Sequence, residues 1–458
     1  MSAALGRFGL RHDPGAVAAW LGSDEDVDRI ASSIDGPVTL IAGPTGSGKS
    51  ALLGRLRAHW LARGVGVVDA DLIRLCPETP LAALSDTDLG LWLRTLARAG
   101  LGEARLLGRR VRELSEGERF RARLALGMLE ATQSEGGVLL LDEFAGVLDR
   151  ATAEGVSRAL ARWAGAVHAR CAVRVVLASG HEDVAGFLGT RACVIRCEAL
   201  RGAVVGEPPS LFGSKAGTGS RVRIERGEVW DYDALARFHY RAGRPATVAG
   251  VWRAVRTLPC GRERLAGVLV ASYPTLNGRW RRGAWGKRYS GRDRGGKRRA
   301  ARLLNEEVRC LSRVVVEPGS RGLGIARRLV ESYLSEPLTV RTEAVTEMGG
   351  VCPFFERAGM RPHRVGRSRA DERLLARLAS TGLCLRDVLA GETPEGMERS
   401  LVAWANQTGA GVRRAMRGQD ESERWRIAAC RLASEPVAYT HGGGESDGGD
   451  GPGGEGPA

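Results

Sequence analysis

Three continuous apolar runs mark the first half of the chain: Val38-Thr39-Leu40-Ile41-Ala42, Val138-Leu139-Leu140-Leu141, and the run from Val173 to Leu177. Runs that are continuous rather than alternating predict strands buried on both faces, as at the centre of a parallel sheet. The first leads into a glycine-rich segment, after which Ser50 to Arg63 carries apolar residues at helical spacing. Residues 36–213 therefore read as alternating strands and helices, giving an α/β domain placed at 1–205. Residues 206–220 are rich in Pro, Gly and Ser and read as a linker. A second α/β domain is placed at 221–366, with strands expected over 265–273, 307–316 and 338–345 and helices over 235–240 and 326–334. Residues 370–436 are helical in pattern, and the Gly-rich, acidic end at 442–458 is expected to be disordered.

Composition narrows this picture. The chain has 458 residues, which allows about three domains, and 43% of them are hydrophobic, enough to bury large cores. No stretch approaches the roughly 20 apolar residues of a membrane helix. The first residues, with Asp13, Asp24, Glu25 and Asp26, do not read as a secretory leader. Nine cysteines predict reduced thiols and a cytoplasmic setting, and Cys193 and Cys197 have no His at ligand spacing. Residues 1–213 hold 25 Lys and Arg against 25 Asp and Glu, so the whole excess of +15 lies beyond them. Arg supplies most of it, which favours a polyanionic partner for the second half.

Gly43-Pro44-Thr45-Gly46-Ser47-Gly48-Lys49-Ser50 fits G-x-x-x-x-G-K-[ST] between a strand and a helix. Its amides would cradle phosphates, Lys49 would reach the β- and γ-phosphates, and Ser50 would hold Mg²⁺. Downstream lie Leu114-Ser115-Glu116-Gly117-Glu118, then a strand ending in Asp142 and Glu143, then Ala145 to Asp149, then His181. In this order the first half resembles the ABC-type ATPases. That resemblance implies that Asp142 supports Mg²⁺, Glu143 polarises the attacking water and His181 senses the γ-phosphate. It also implies that Ser115 and Gly117 close over ATP bound to a second copy, so a homodimer is expected. Only 63 residues separate Ser50 from Leu114 and none of them is Gln, so the family's Q-loop glutamine is missing or replaced.

In the second half, Arg321-Gly322-Leu323-Gly324-Ile325-Ala326 is a glycine turn between an apolar strand, with Val314 and Val316, and a helix. Consecutive amides at such a helix start suit a diphosphate. With Pro353-Phe354-Phe355-Glu356-Arg357-Ala358-Gly359-Met360 downstream, this segment resembles the GNAT superfamily of N-acetyltransferases. The resemblance implies a mixed-sheet α/β fold, an acetyl-CoA site at Val314, Val316 and 321–326, and acyl transfer to an amine. Phe355 stands where many relatives carry a Tyr acid. Glu343 is the candidate base, with an ion-pairing role as the alternative, and His239-Tyr240 face either the acceptor or the core. Leu311-Ser312-Arg313 together with 353–360 is also similar to phage enzymes of the Mom type that modify adenine in DNA.

An insertion at 277–303 completes the reading. From Arg279 to Arg302 it holds eleven basic residues, one acid and three aromatics. Arg279, Arg281, Arg282, Lys287, Arg288, Lys297 and Arg298 would neutralise phosphates, while Trp280 and Trp285 would stack on bases. The expectation is an ATP-gated N-acetyltransferase acting on RNA or DNA, with ATP, Mg²⁺ and acetyl-CoA as ligands and no membrane partner. The alternatives are transfer to a small amine or protein lysine, or a non-catalytic nucleic-acid-binding protein.

Overall fold

The computed structural model describes residues 24–442, except 104–105, 134, 190–191, 199–201, 207–220, 240–242, 259–260, 277, 279, 292 and 434–435. The linker, apart from Gly206, and the acidic tail beyond Gly442 lie outside the described residues, as do Tyr240 and Arg279.

The first half is built on six strands: β1 (Val38–Ala42), β2 (Val67–Asp69), β3 (Val138–Leu141), β4 (Arg174–Ser179), β5 (Ala192–Glu198) and β6 (Gly202–Gly206). Their order is β2-β3-β4-β1-β5-β6, parallel except for the β5–β6 pair. Around them lie helices α1 (Asp24–Ser33), α2 (Lys49–Ala62), α3 (Leu89–Arg98), α4 (Glu116–Ala131), α5 (Arg150–Cys171) and α6 (Asp183–Leu188). The continuous apolar runs are explained by two cores. Leu40, Leu139 and Val175 enter the cluster containing α3, α4 and α5, whereas Ile41, Leu140 and Val176 enter the one containing α1 and α2.

The second sheet has seven strands: β7 (Arg221–Gly227), β8 (Gly250–Thr257), β9 (Glu263–Ser272), β10 (Val308–Val316), β11 (Arg341–Thr346), β12 (Arg361–Arg364) and β13 (Val437–His441), in the order β12-β13-β11-β10-β9-β8-β7. Among the described residues its one parallel pair is β10–β11, and that pairing covers Val308–Cys310 against Arg341–Glu343. Beyond it the two strands part, β10 staying with β9 and β11 with β13. One face is covered by α7 (Val229–Leu235), through Tyr232 and Leu235. The insertion forms α8 (Arg281–Trp285) and α9 (Arg294–Glu307). The opposite face is covered by α10 (Ile325–Ser335), through Leu329, Val330 and Tyr333, and α11 (Phe354–Arg357) follows β11.

Two expectations change here. The second domain does not end at 366, because β13 pairs with both β11 and β12 and completes the sheet. The intervening helices α12 (Arg369–Ala379), α13 (Leu385–Ala390), α14 (Glu398–Thr408), α15 (Ala410–Met416) and α16 (Glu421–Leu432) are an excursion between the last two strands. They do not stand apart as an extension. Leu374, Leu389, Leu401, Trp404 and Trp425 join the same apolar cluster as Trp92 and Leu96 of α3 and Leu124 of α4. The helical side of the first half, around α3 and α4, is thus enlarged by helices from the far end of the chain.

A second junction is polar. Glu154 of α5 and Arg256 of β8 pair with side-chain exposures of 6% and 2%. Arg256 also donates to the Gly319 carbonyl at 3.1 Å. Gly155 packs so closely on the Arg321–Gly322 backbone that a Cβ on either glycine would overlap the opposing carbonyl. Among the described residues, no helix is long and apolar enough to cross a membrane.

Candidate functional site

The loop after β1 owes its shape to glycine. Gly46 and Gly48 take φ of +80° and +84°, and Gly43 lies against the Cys197 carbonyl with no room for a Cβ. Gly48, left-handed, opens α2, whose first amides have no carbonyl four residues back. Lys49 is buried and its Nζ donates to the Pro44 carbonyl at 2.8 Å, folding over the loop. The Ser47 hydroxyl is buried without a hydrogen-bond partner. A cleft of about 520 Å³ opens here, lined by Thr45, Gly46, Gly48, Lys49 and Ser50 on one side and by Asp142, Glu143 and His181 on the other.

The acidic side is held by strand ends. Glu143 and Ala145 take φ of +42° and +63°, an uncommon turn for side-chain-bearing residues, which presents Glu143 at the cleft. The turn is fastened to β4: Phe144 N donates to the Ala178 carbonyl at 2.8 Å, and Ser179 Oγ donates to the Phe144 carbonyl at 3.1 Å. The same Ser179 Oγ accepts from His181 N at 3.2 Å, so one hydroxyl sets both Glu143 and His181. On the other flank Asp142 N donates to Asp71 Oδ2 at 2.7 Å. Burial raises the Asp71 carboxyl above its ordinary value, against the pull of that amide. Asp71 follows β2, beside the carboxylate strand, and was not singled out in the sequence because it lacks a motif.

Ser115 and Gly117 stand apart from this cleft. Ser115 caps α4, accepting from Glu118 N while Glu118 Oε2 accepts from Ser115 N at 2.8 Å. Gly117 packs on Leu148, just before Asp149. Ser115 is exposed, and neither residue lines the cleft of its own chain.

The turn at 321–326 repeats the device of the first loop. Gly322 and Gly324 take φ of +78° and +76°, and Gly324 opens α10 as Gly48 opens α2. Leu323 packs at the edge of the second core, Ile325 is fully buried in it and Ala326 follows in the first turn of α10. Val314 and Val316 are half-buried on β10 beside the opening between β10 and β11. The Arg321 side chain turns away, pairing with Glu103 of the first half, and Arg162 of α5 donates to the Gly322 carbonyl at 2.6 Å. Arg321 is therefore a junction residue.

Further assignments change, at Glu343 and within the insertion. Glu343, the candidate base, accepts from Arg281 Nε at 2.7 Å and from its NH2 at 2.6 Å, both side chains being almost fully buried. Burial raises this carboxyl and Arg281 opposes the rise. With both oxygens taken, Glu343 has the ion-pairing role, and Arg281 is not presented to a polyanion. Arg288 likewise binds Glu307, at 2.8 Å, together with Tyr289. Trp280, Trp285 and Tyr289 are half-buried and pack on one another, with ring centroids 6.1 and 5.6 Å apart, so the tryptophans brace the insertion. Arg282, Lys287, Lys297 and Arg298 are exposed. Phe355 is buried against Tyr439 at 5.2 Å, and the Tyr439 hydroxyl donates to the Gly349 carbonyl.

No family model and no curated protein matches the chain. Solved structures are similar over part of it. An ATP-binding cassette of an ABC transporter, in its ADP conformation, is 17% identical and aligns with 38% of this chain and 82% of its own, at a TM-score of 0.27. The cbiO1 protein from Clostridium perfringens, part of the ABC transporter complex cbiONQ, is 17% identical over 39% of this chain and 80% of its own, at a TM-score of 0.28.

Proposed function

We propose that the first half binds and hydrolyses ATP as a dimer, and that the second half is an acyl-CoA-dependent N-acyltransferase acting on a base amine of a nucleic acid. The observation that carries the proposal is the twice-used device of a left-handed glycine opening a helix after a strand, at Gly48 and at Gly324. Each opens a helix whose first-turn amides lack an intrahelical carbonyl, an arrangement that suits phosphate groups.

The cleft of the first half fits a magnesium nucleotide. The Lys49 ammonium and the Thr45–Gly46 and Gly48 backbone line the phosphate side. Ser50 and Asp142 are the residues suited to hold Mg²⁺, which when bound neutralises phosphate charge. Glu143 is placed to orient the attacking water and His181 to contact the terminal phosphate. Ser115 and Gly117 of a second copy would complete the site, since those of the same chain lie elsewhere. The reaction then depends on positioning and charge neutralisation, which closure of two copies turns on.

In the second half, the 322–326 amides would take the diphosphate of acyl-CoA and the opening between β10 and β11 its acyl arm. The acceptor nitrogen attacks the thioester carbonyl, the C–N bond forms, the C–S bond breaks, and the amine proton is shed as the thiolate gains one. A second reading, acyl-CoA binding without transfer, is favoured by Phe355 at the acid position and by the Arg281 grip on Glu343.

Incubation of the full chain with radiolabelled acetyl-CoA and bulk tRNA, rRNA or DNA, with and without ATP, tests the proposal. Label in a nucleic acid supports it. Label only in a small amine or a protein replaces the acceptor. Acetyl-CoA binding without transfer to any acceptor supports the second reading.

A further inference from the structure

The insertion divides its side chains between two tasks. Arg281, Arg288, Trp280, Trp285 and Tyr289 hold it down, through Glu343, Glu307 and ring packing. What they hold in place is α9, which runs straight into β10 and buries Leu304 beneath it. Asp293 caps the start of this helix, accepting from Gly296 N. Arg294, Lys297, Arg298, Arg299 and Arg302 are all exposed on it. Arg294, Arg298 and Arg302 recur every fourth residue, so their stems share one face about 6 Å apart along the axis.

We infer that α9 grips nucleic acid by its phosphate backbone and leaves the bases unread. The inference rests on the reading of nucleic acid as the acceptor and specifies how it is held. Backbone contact needs cations on a rigid element, and α9 supplies five. Base stacking needs open aromatic faces, but the tryptophans of the insertion are committed to one another. An anionic membrane is the poorer fit, because an interfacial helix buries its apolar face in lipid, and Leu304 is already buried in the protein. Sequence or base preference must then arise at the transfer site, while α9 delivers any strand to it.

The test is fluorescence anisotropy of the full chain with two unrelated 24-nucleotide sequences, as RNA and DNA, single-stranded and duplex, across a range of NaCl concentrations. Each neutralised duplex phosphate contributes about −0.9 to the slope of log affinity against log salt, so about five contacts give a slope of about −4.5. The two sequences should bind within about twofold of each other. Charge reversal of Arg294, Arg298 and Arg302 together should weaken binding more than about tenfold and flatten the slope by about 2 to 3. Trp285→Phe, which keeps the packing, should leave binding unchanged. A flat salt response, strong sequence preference, or loss on Trp285→Phe with the charge-reversed variant unaffected overturns the inference while the acceptor reading stands. No binding to any nucleic acid, or binding only to phosphatidylserine vesicles, overturns both.

Discussion

Glu154 on α5 and Arg256 on β8 form an ion pair between the two halves that is almost wholly removed from water. Losing one partner leaves a buried charge alone, which costs about 3–5 kcal/mol. Glu154→Ala is therefore expected to lower the denaturant midpoint of the whole chain and to expose the junction to limited proteolysis. Replacing both residues with Met should restore much of the loss. If Glu154→Ala unfolds at the wild-type midpoint, the pair does not hold the halves together.

Gly322 has φ +78° and lies against the Gly155 backbone, so Gly322→Ala meets both conformational strain and a collision. The variant should loosen the junction and weaken acetyl-CoA binding together, read by calorimetry and proteolysis on the same sample. Gly324→Ala has open space at the Cβ and strain alone. It should weaken acetyl-CoA binding, if the turn takes the diphosphate as proposed, while leaving the junction protected.

If the cleft of the first half takes ATP as proposed, Lys49→Ala should abolish its binding. Glu143→Gln should keep binding within a few-fold but lower turnover about 10²–10³-fold, because it keeps the side chain's shape and removes the carboxylate proposed to direct the attacking water. With ATP, this slow variant should run as a dimer on gel filtration. A monomer under all conditions would count against completion of the site by Ser115 and Gly117 of a second copy.

Asp71 holds the Asp142 amide at 2.7 Å and so positions a residue suited to Mg²⁺. Loss of such supporting contacts typically costs 10- to 100-fold, about that range being expected for Asp71→Ala in kcat and in the Mg²⁺ concentration required. Asp71→Asn keeps an acceptor oxygen and should recover most of the activity. Equal behaviour of the two variants would remove Asp71 from this role.

Acid should loosen the insertion first. Arg288 and Tyr289 hold the Glu307 carboxyl down at about 2, from an ordinary 4.5. A carboxylate lowered in the folded state stabilises above its unfolded pKa, and that contribution fades as pH falls from about 4.5 towards 2. Wild type should exceed Glu307→Gln in stability at pH 7 and lose its advantage across that window. A constant difference from pH 7 to 2 would show that the charge plays no part.

Much of the cleft of the first half was legible because its local geometry restricts sequence. A turn needing Gly46 and Gly48 left-handed, and strands buried on both faces like Val138 to Leu141, leave few choices of residue. The junction was not legible. Arg256 within a strand looks like any exposed Arg, and its partner Glu154 is 102 residues away. Arg281 read as a phosphate contact because Glu343, which neutralises it, is 62 residues downstream. Val437 to His441 seemed to trail a helical segment, since the strands it joins, β11 and β12, lie far back in the chain.

That last strand affects how the protein comes into being. During synthesis β7 to β12 emerge well before β13, so the second sheet waits with the β11 edge unpaired while α12 to α16 are still being made. An open edge is a template for wrong pairing. The excursion helices that settle into the first half therefore act on the growing chain as a tether, keeping the final strand near the gap it must fill. Premature termination before residue 437 would leave the β11 edge unpaired and β12 without its partner.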